Sequence, residues 1–420
     1  MKKAMLKTTL SLAVALASSQ IFASGFALNE QSISGMGTGF AGRSSSAEDA
    51  STVFGNPAGM SRIKREQVTG GVAAIDASTD IKHASGGAPG GTNKGDMVPF
   101  TAVPMGFYVK PIDEHWAFGV GMYAPFGLVT DYESSFAGRY AGKQSKVQVI
   151  TLQPTVSYAF NDVVSIGFGP TINRIDGTLS SATPGPGGND GKVKIKGDDT
   201  ALGFNAGILV QATDSTRVGL TYHSKVKYSL EGDTKITGIG FGPANGAKFD
   251  AGLDISTPES VDFSVTHELN DQWTLYAGST WTRWSRLKDI TVENEGVPPF
   301  LGGGAGPIGT IKEDQNWHDT WASAIGAAYK LNKQWTLRTG LSVDQSPTNN
   351  TDRSVRIPTG DRKAISFGVG WSPTDDLTID AAYSYLKEES VSVNLPAKGN
   401  YKSSYHNSAN GFGVGATYRF

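Results

Sequence analysis

Few residues of this chain have the types and the spacing that catalysis would require. Cysteine is absent from all 420 residues, which excludes disulfides, zinc thiolate sites and thiol nucleophiles. No Gly-x-Ser-x-Gly motif is present to hold a nucleophilic serine on a sharp turn, and the histidines do not have the spacing of metal ligands. The histidines are His83, His115, His223, His267, His318 and His406. We therefore expect a protein that is not an enzyme and that carries neither a metal nor a cofactor.

The composition favours one large β-barrel over the two or three soluble domains that 420 residues could form. Glycine, at 53 residues, is nearly twice as frequent as in average proteins, while hydrophobic residues make up only 38% of the chain. The net charge of −2 gives no reason to expect nucleic acid as a partner.

Residues 1–23 have the three parts of a secretory signal peptide. Lys2 and Lys3 supply positive charge, residues 10–17 form a short apolar core, and Ala23 is a small residue at the expected cleavage site. The apolar core is much shorter than the roughly 20 residues of a membrane-spanning helix, so we do not expect an N-terminal anchor. No later stretch contains 18 consecutive apolar residues, which argues against a helical membrane protein.

Beyond Ile63 the sequence changes to segments of roughly ten residues in which apolar and small polar residues alternate. The clearest segments are 164–172, 365–371 and 377–385. In a soluble β-sandwich the apolar set would face a core, whereas in an outer-membrane barrel it would face lipid. The alternation does not separate these two folds, but the connections between the segments do.

Short turns and long loops alternate strictly along the chain. The short turns are at 111–115, 161–162, 213–216, 270–272, 332–334 and 374–376, and the long loops are near 79–98, 126–145, 178–200, 232–250, 289–315, 346–360 and 390–404. Six short turns and seven long loops predict fourteen antiparallel strands with both termini on the short-turn side, as in bacterial outer-membrane barrels. Trp116, Trp273 and Trp335 each follow a short turn, where an interfacial aromatic girdle would lie.

Two further segments complete this organisation. Residues 24–63 are rich in glycine, serine and alanine and show no strand alternation, so we interpret them as a plug, or hatch, inside the barrel. Apolar residues alternate from 412 to the terminal Phe420, which is typical of the closing strand that the outer-membrane assembly machinery recognises. The predicted parts are a signal peptide at 1–23, a hatch at 24–63 and an all-β, fourteen-stranded transmembrane barrel at 64–420.

The chain contains Gly25-Phe26-Ala27-Leu28-Asn29-Glu30 directly after the expected cleavage site, then Asn56-Pro57-Ala58, and later the stretches 203–209, 335–340 and 353–362. In these stretches it resembles the FadL family of long-chain fatty acid transporters, which also includes importers of aromatic hydrocarbons. The resemblance implies a fourteen-stranded barrel with an N-terminal hatch, capture of a hydrophobic molecule in an outer-loop groove, and transfer to an inner pocket at the hatch. It also implies that movement of the N-terminal residues opens a lateral exit beside an inward-kinked third strand.

The expected capture groove is rich in apolar side chains. Residues 126–145, by the resemblance the third extracellular loop, contain Phe126, Leu128, Val129, Tyr132 and Phe136. An exposed apolar patch of this kind marks a binding surface, although the same side chains could pack the loop against the barrel mouth, and both could hold together. The resemblance places loop 178–200 on the other side of the groove, but that loop is unusually polar between 183 and 189.

The lateral opening is expected near Tyr123, Ala124 and Pro125. Because proline has no amide hydrogen, within a closed sheet it marks a bulge, a local opening or the end of a strand. By the resemblance, Pro125 falls where the third strand bends inward. Gly207 has the matching position on a later strand, where the absence of a side chain would keep the path clear.

The inner pocket is expected to combine apolar contacts with a cation for a carboxylate headgroup. By the resemblance, Phe26 and Leu28 of the mature N-terminus reach the ligand. Arg338 lies in the small polar register of its strand and so faces the lumen, and His318 matches a position at which a relative has lysine. Alternatively, Arg338 pairs with lumen acids such as Asp344.

Two roles are expected within the hatch. Residues 24–28 are the predicted moving gate, because a glycine-rich and weakly packed segment is easily displaced. Asn56, Pro57 and Ala58 are the predicted anchor, with Pro57 stiffening a turn against the wall.

The sequence therefore predicts an outer-membrane transporter of a Gram-negative bacterium with periplasmic termini. No ATP-binding or energy-coupling motif is present, so we expect passive, gated uptake of long-chain fatty acids or, by the same route, of aromatic hydrocarbons such as toluene and xylene. A water-filled porin and a secreted adhesin are the competing hypotheses. The expected partners are the hydrophobic ligand, outer-membrane lipid, lipopolysaccharide and, at Phe420, the barrel assembly machinery; we expect no nucleic acid, and a monomer.

Overall fold

The computed structural model describes residues 25–185, 188–238, 245–299, 303–304, 306 and 308–420. The predicted signal peptide at 1–23, Ser24 of the predicted gate, and residues 186–187 of the polar stretch lie outside the described residues.

Strands make up most of the described chain, and they belong to one sheet. Their bounds are β1 (Gln67–Ser85), β2 (Thr101–Pro111), β3 (Trp116–Asp131), β4 (Gln144–Ala159), β5 (Val164–Pro184), β6 (Asp190–Thr213), β7 (Thr216–His223), β8 (Val226–Thr237), β9 (Lys248–Thr257), β10 (Ser260–Glu268), β11 (Trp273–Thr282), β12 (Asp289–Asn294), β13 (Thr310–Asp314), β14 (Thr320–Lys330), β15 (Trp335–Asp344), β16 (Arg362–Trp371), β17 (Leu377–Glu388), β18 (Val391–Leu395) and β19 (Tyr401–Arg419).

Within the described residues, fourteen of these strands close into a ring: β1–β7, β10, β11, β14–β17 and β19. Neighbours in the ring are antiparallel, and β19 returns to β1 with Gln67 opposite Arg419. The predicted fourteen-stranded antiparallel barrel is therefore confirmed. The other five strands, β8, β9, β12, β13 and β18, extend the wall on the side of the long connections.

The exposure of the strands follows the alternation of their residues. In β15 the side chains of Trp335, Leu337 and Leu341 are exposed on the outer face, whereas that of Arg338 is buried on the lumen side. Close to the short turns, the rings of Trp335 and Trp371 lie 5.8 Å apart in the predicted girdle. Apart from one stretch between β2 and β3, neighbouring strands of the closed ring pair with each other, so the wall satisfies most of its own backbone hydrogen bonds, as a hydrocarbon environment requires.

Helices are few and short in the described chain. They are α1 (Ile33–Gly37), α2 (Thr52–Gly55) and the 3-10 turns Pro57–Arg62 and Trp284–Arg286. Ser32 caps α1 by accepting a hydrogen bond from the Gly35 amide at 3.1 Å. Among the described residues, no helix has the length and the apolar character needed to cross a membrane.

The long loops are shorter than predicted, because strands extend into them. Pairing of β3 with β4 leaves only 132–143 of the predicted loop 126–145 outside the strands, and β5 pairs with β6 up to Pro184 and Asp190, so that the predicted loop 178–200 is almost entirely strand. Strands also enter the predicted loops 79–98, 232–250, 289–315 and 390–404. Beyond the membrane both faces of a strand meet polar surroundings, so strand pairing continues there without the alternation used to predict it. The β3–β4 connection is also the second on its side of the barrel, not the third.

Residues 25–63 lie across the interior of the ring. α1 packs against β15–β17, β19 and β1, while the 3-10 turn Pro57–Arg62 packs against β2–β6. Between them, the Ser44 amide donates a hydrogen bond of 3.0 Å to Ser264 Oγ on β10. Contacts with strands on opposite sides of the ring place this segment in the lumen.

Candidate functional site

The third strand of the wall bends at Pro125. The pairing of β3 with β4 shifts register between Tyr123 and Phe126, as a bulge does, so the predicted bulge is present. β3 pairs with β2 only as far as Met122. Beyond that point the first residues of β2 pair with β1 alone, until the Asp131 amide donates to the carbonyl of Met97. β2 and β3 are therefore not paired with each other beside the bend, and we call this unpaired stretch the window.

The N-terminal residues occupy the bend as a short extra strand. The Leu28 amide donates to the Pro125 carbonyl at 2.8 Å, and the Gly127 amide donates to the Phe26 carbonyl at 2.8 Å. Ala27 and Phe126 form an isolated antiparallel bridge between them. We call residues 25–28 the N-terminal latch, because their backbone takes the hydrogen bonds that β2 does not supply here.

An aromatic cage holds the side chain of Phe26, which is 4% exposed. Its ring lies 4.8 Å from that of Trp284, 5.8 Å from Phe126 and 6.0 Å from Trp317, between centroids. Gly25 has φ of +64°, and a Cβ there would lie 2.6 Å from the Trp317 ring, so the close approach requires glycine. Since Trp284 and Trp317 follow β11 and precede β14, the cage reaches across the lumen from β3.

A cavity lies directly beneath the latch. Its apolar lining includes Leu28, Phe126 and Val226, and its polar lining includes Arg43 and Asn205. The side chain amide of Asn205 donates at 2.6 Å to Gln153 Oε1 within a buried polar network of the wall.

The two predicted cations of the pocket are placed elsewhere or are already paired. Arg338 forms ion pairs with Asp380 at 2.8 Å and with Glu48 at 3.2 Å, which is the alternative role predicted for it, although with partners other than Asp344. His318 is exposed and its Nδ1 contacts the backbone carbonyl of Asp319 at 3.0 Å. The structure corrects its placement in the pocket, since the neighbouring residue Trp317 is the one that turns inward.

Sequence reasoning missed Arg43, which belongs to the segment between α1 and α2. Its Nη2 donates to Asn29 Oδ1 at 2.7 Å, so it contacts the chain directly after the latch. The position lies in a glycine- and serine-rich segment without periodicity, and no local pattern indicates that it faces a cavity. Its charge in an otherwise neutral stretch, between Glu30 and Glu48, is the one signal that could have drawn attention to it.

The predicted anchor residues lie against the wall. Asn56 Nδ2 donates to the carbonyl of Ser44 at 2.7 Å and to that of Ile208 on β6 at 2.9 Å, while Asn56 Oδ1 accepts from the Ala58 amide. Ser165 Oγ of β5 donates to the Ala58 carbonyl at 3.0 Å. A side chain buried with all of these partners is costly to displace. These contacts support the predicted role of Asn56, Pro57 and Ala58.

Gly207 belongs to the anchor and not to the lateral opening. It lies on β6, separated from the window at β3 by β4 and β5. A Cβ at this position would lie 1.9 Å from Asn56 Oδ1. The absence of a side chain therefore admits Asn56 to the wall, and the prediction that it clears a path beside the third strand is wrong.

The predicted capture residues do not form an exposed patch. Phe126, Leu128 and Val129 are on β3 rather than in a loop, and Tyr132 and Phe136 are 3% and 0% exposed. The rings of Tyr132 and Phe136 stack with their centroids 3.9 Å apart. Tyr132 Oη also donates a hydrogen bond of 2.6 Å to a carbonyl of the connection 345–361. Tyr132 and Phe136 therefore pack against the barrel mouth, as in the alternative interpretation of this segment.

An apolar cavity lies farther out, within the extended part of the wall. It is formed by β4, β5, β6, β8, β9 and β12, and its lining includes Ile175, Leu230, Ile255 and Ile290. Because the lining is divided among six strands, no single stretch of sequence identifies it. Ile255 also packs against a buried cluster that includes Val226, so apolar contacts continue from this outer cavity to the cavity beneath the latch.

In the part of the chain that the structure describes, no group of three or more histidine, aspartate and glutamate side chains could hold a metal ion.

Comparisons with known proteins agree with this architecture. The family model of the outer membrane protein transport protein family (OMPP1/FadL/TodX) matches residues 14–420. The chain is 28% identical to a long-chain fatty acid transport protein of Escherichia coli strain K12, with 99% of this chain and 98% of that protein covered. It is 28% identical to outer membrane protein P1 of Haemophilus influenzae strain Rd, with 99% of each covered.

Solved structures show the same fold. A Pseudomonas aeruginosa FadL homologue has a TM-score of 0.82 at 28% identity, covering 94% of this chain and 100% of that one. The Ralstonia pickettii toluene transporter TbuX has a TM-score of 0.69 at 20% identity, covering 94% of this chain and 99% of that one. The second likeness, at its lower identity, concerns the fold alone.

Proposed function

The chain belongs to the OMPP1/FadL/TodX family of outer membrane transport proteins, and on this premise we propose that it takes up long-chain fatty acids by passive, gated diffusion. It is a β-barrel of the Gram-negative outer membrane, and its family consists of transport proteins rather than enzymes. The observation that carries the proposal is the latch, which lies in the bend of β3 directly above a cavity with both apolar and polar lining residues.

The proposed route begins at the outer apolar cavity, where a hydrophobic chain is captured. Ile175, Leu230 and Ile290 there offer an almost entirely apolar surface, and transfer of a hydrocarbon chain out of water stabilises it by about 25 cal/mol per Å² of buried surface. The continuous apolar contacts through Val226 then lead to the cavity beneath the latch. This arrangement replaces the loop groove predicted from the sequence.

Gating is proposed to take place at the latch. A sixteen-carbon chain buried at about 0.8 kcal/mol per methylene gains roughly 12 kcal/mol, which corresponds to nanomolar binding before costs. A rigid pocket of that affinity would release its ligand too slowly for transport. Since Leu28 lines the cavity and also bonds to Pro125, its displacement would weaken the pocket and uncover the window between β2 and β3.

Exit is proposed to be lateral, through that window into the membrane. The outer face of the wall is apolar next to it, with Val72 and Met122 exposed. We propose that this face contacts outer-membrane lipid and lipopolysaccharide, that the terminal Phe420 serves barrel assembly, and that the protein acts as a monomer.

Aromatic hydrocarbons are the second candidate ligands. The cage of Phe26, Trp284 and Trp317 has the ring-on-ring geometry that also suits a small aromatic molecule. Such a ligand would follow the same route through the same window.

A binding titration tests the proposal. Purified protein in detergent is titrated with oleate and, separately, with toluene or xylene. Saturable binding of oleate is the expected result, and saturable binding of the aromatic alone would contradict the proposal. Single-channel recording is the complementary measurement, because a steady ohmic current would indicate a water-filled porin.

Deletion of residues 24–28 tests the gating role. Uptake of fatty acid by cells should fall for two reasons. The cavity loses its contact with Leu28, and the window is no longer opened and closed by the latch. The barrel should still show heat-modifiable migration in gel electrophoresis, since the wall does not depend on these residues. Normal uptake by the deletion variant would refute the gating role.

A further inference from the structure

Arg43 lies where two lumen cavities meet. The cavity beneath the latch and a second one on the β14–β19 side are both lined by Arg43 and Asn29. A guanidinium in this position faces any molecule that lies in either cavity. No role for this residue has been assigned by the family resemblance or by the predicted site.

The guanidinium of Arg43 contacts aromatic rings and a side-chain amide rather than a carboxylate. Its guanidinium carbon lies 5.3 Å from the ring centroid of Phe40 and 6.0 Å from that of Phe54, and its Nη2 donates to Asn29 Oδ1. Among the described residues it forms no ion pair within 4.0 Å. Arg338 and Arg362, by contrast, each pair with two carboxylates.

Two acids near Arg43 have other partners. Asp262 accepts hydrogen bonds from the hydroxyls of Ser44 and Thr280, and Asp344 pairs with Arg362 at 3.4 Å. Glu30 lines the second cavity together with Arg43 but forms no ion pair with it within 4.0 Å. Arginine has five N–H donors, and most of those of Arg43 therefore remain available to a ligand.

We propose that Arg43 binds the carboxylate of the transported ligand, and that the preferred substrates are hydrophobic molecules with an anionic headgroup rather than hydrocarbons. This inference rests on the proposed function of the cavity. The hydrocarbon chain lies against Leu28 and Phe126, and the carboxylate takes a bidentate position on the guanidinium. In doing so it displaces Asn29 Oδ1 from Arg43. Asn29 directly follows the latch, so recognition of the headgroup loosens the attachment of the gate.

Comparison of two ligands that differ in charge alone tests the proposal. The unaltered protein and Arg43→Gln are titrated in nonionic detergent with radiolabelled oleate and methyl oleate, with protein-free micelles subtracted. A charge-assisted hydrogen bond of this kind corresponds to an affinity ratio of about 10- to 100-fold, so the unaltered protein should bind oleate tighter by that factor. Arg43→Gln should bind oleate and methyl oleate equally, with unchanged affinity for methyl oleate. Arg43→Lys should keep part of the preference.

A matched control separates this role from a general effect of positive charge. Arg174→Gln removes a cation already paired with Asp176 and Asp198, and the preference for oleate should persist. Persistence of the preference in Arg43→Gln, or its equal loss in Arg174→Gln, would overturn the inference. So would equal binding of both ligands by the unaltered protein, a result that leaves the proposed uptake function intact. Failure of the unaltered protein to bind either ligand would instead contradict the proposed function.

Discussion

Replacement of Phe26 by alanine should release the N-terminal latch while the barrel stays closed. The side chain is 4% exposed and its ring contacts three other aromatic rings. Each aromatic contact contributes about 0.5–1.5 kcal/mol beyond burial, which gives roughly 1.5–4.5 kcal/mol for the cage. If Phe26→Ala destabilises the closed state of the latch by about 3 kcal/mol, the population of the open state should rise about 100-fold.

Thiol labelling can measure that population directly, because the chain has no cysteine. Ala27→Cys places one thiol within the latch, next to its bridge with Phe126. When the latch reopens and closes faster than the reagent reacts, the labelling rate is proportional to the open fraction. Labelling of Cys at this position should therefore be about 100-fold faster with Phe26→Ala than without it.

Two controls make this experiment specific. Phe26→Leu keeps most of the apolar volume but loses the ring contacts, so it should accelerate labelling by a smaller factor. A thiol introduced by Ala382→Cys, on the lumen face of β17 and 8% exposed, should react slowly in every background. An unchanged labelling rate at position 27 in Phe26→Ala would refute the reasoning that the cage holds the latch. Equal acceleration at position 382 would show that the whole barrel had loosened.

Three further substitutions test the anchor, the wall and the outer cavity. Gly207→Ala should displace Asn56, since its Cβ would lie 1.9 Å from Asn56 Oδ1, and the midpoint of heat-modifiable unfolding should fall. Arg362→Ala should cost about 3–5 kcal/mol of unfolding free energy, because the fully buried Glu388 carboxylate loses its partner. Ile290→Asn should lower uptake at sub-saturating ligand concentrations while the affinity of the inner cavity stays unchanged, because it makes the outer cavity polar.

Matched variants define the contrary outcomes. Gly106→Ala adds a Cβ with no atom within 4 Å, so it should be neutral, and an equal loss in both glycine variants would contradict the anchor contact. Lys227→Ala, the control for Arg362→Ala, removes an exposed ion pair with Asp254 and should lower the free energy of unfolding by only about 0–1 kcal/mol. A similar small cost for Arg362→Ala would show that its ion pairs are not the source of stability. Unchanged uptake by Ile290→Asn at all concentrations would remove the outer cavity from the route.

The membrane part of the fold was predictable because lipid imposes a pattern on the sequence. Apolar residues must alternate along each strand, and turns on one side must be short, so a turn at 332–334 followed by Trp335 defines the start of β15. Outside the membrane this constraint ends. The pairing of β5 with β6 as far as Pro184 depends on backbone hydrogen bonds and on neighbouring strands. Neither of these can be predicted from the alternation of side chains.

The site was predictable where it depends on backbone chemistry and unpredictable where it depends on distant contacts. Proline at position 125 indicates a bulge because it lacks an amide hydrogen, and the bulge is present. His318 was misplaced because the connection before β14 has no strand period, and Trp317 points to the lumen instead. Arg43 and Gly207 acquire their surroundings from residues far away in the chain, so their roles became visible only in three dimensions.

The unequal attachment of residues 25–63 would allow one segment both to close the barrel and to let a ligand pass. Asn56 is held by two donated hydrogen bonds and by direct contact with Gly207. The latch, in contrast, is held by two backbone hydrogen bonds and one aromatic cage. Because Leu28 both lines the cavity and occupies the bend at Pro125, a single local movement would weaken ligand binding and open the exit. Variants that open the latch should therefore lower ligand affinity without removing the anchored part from the lumen, a combination that a hatch moving as one rigid body would not produce.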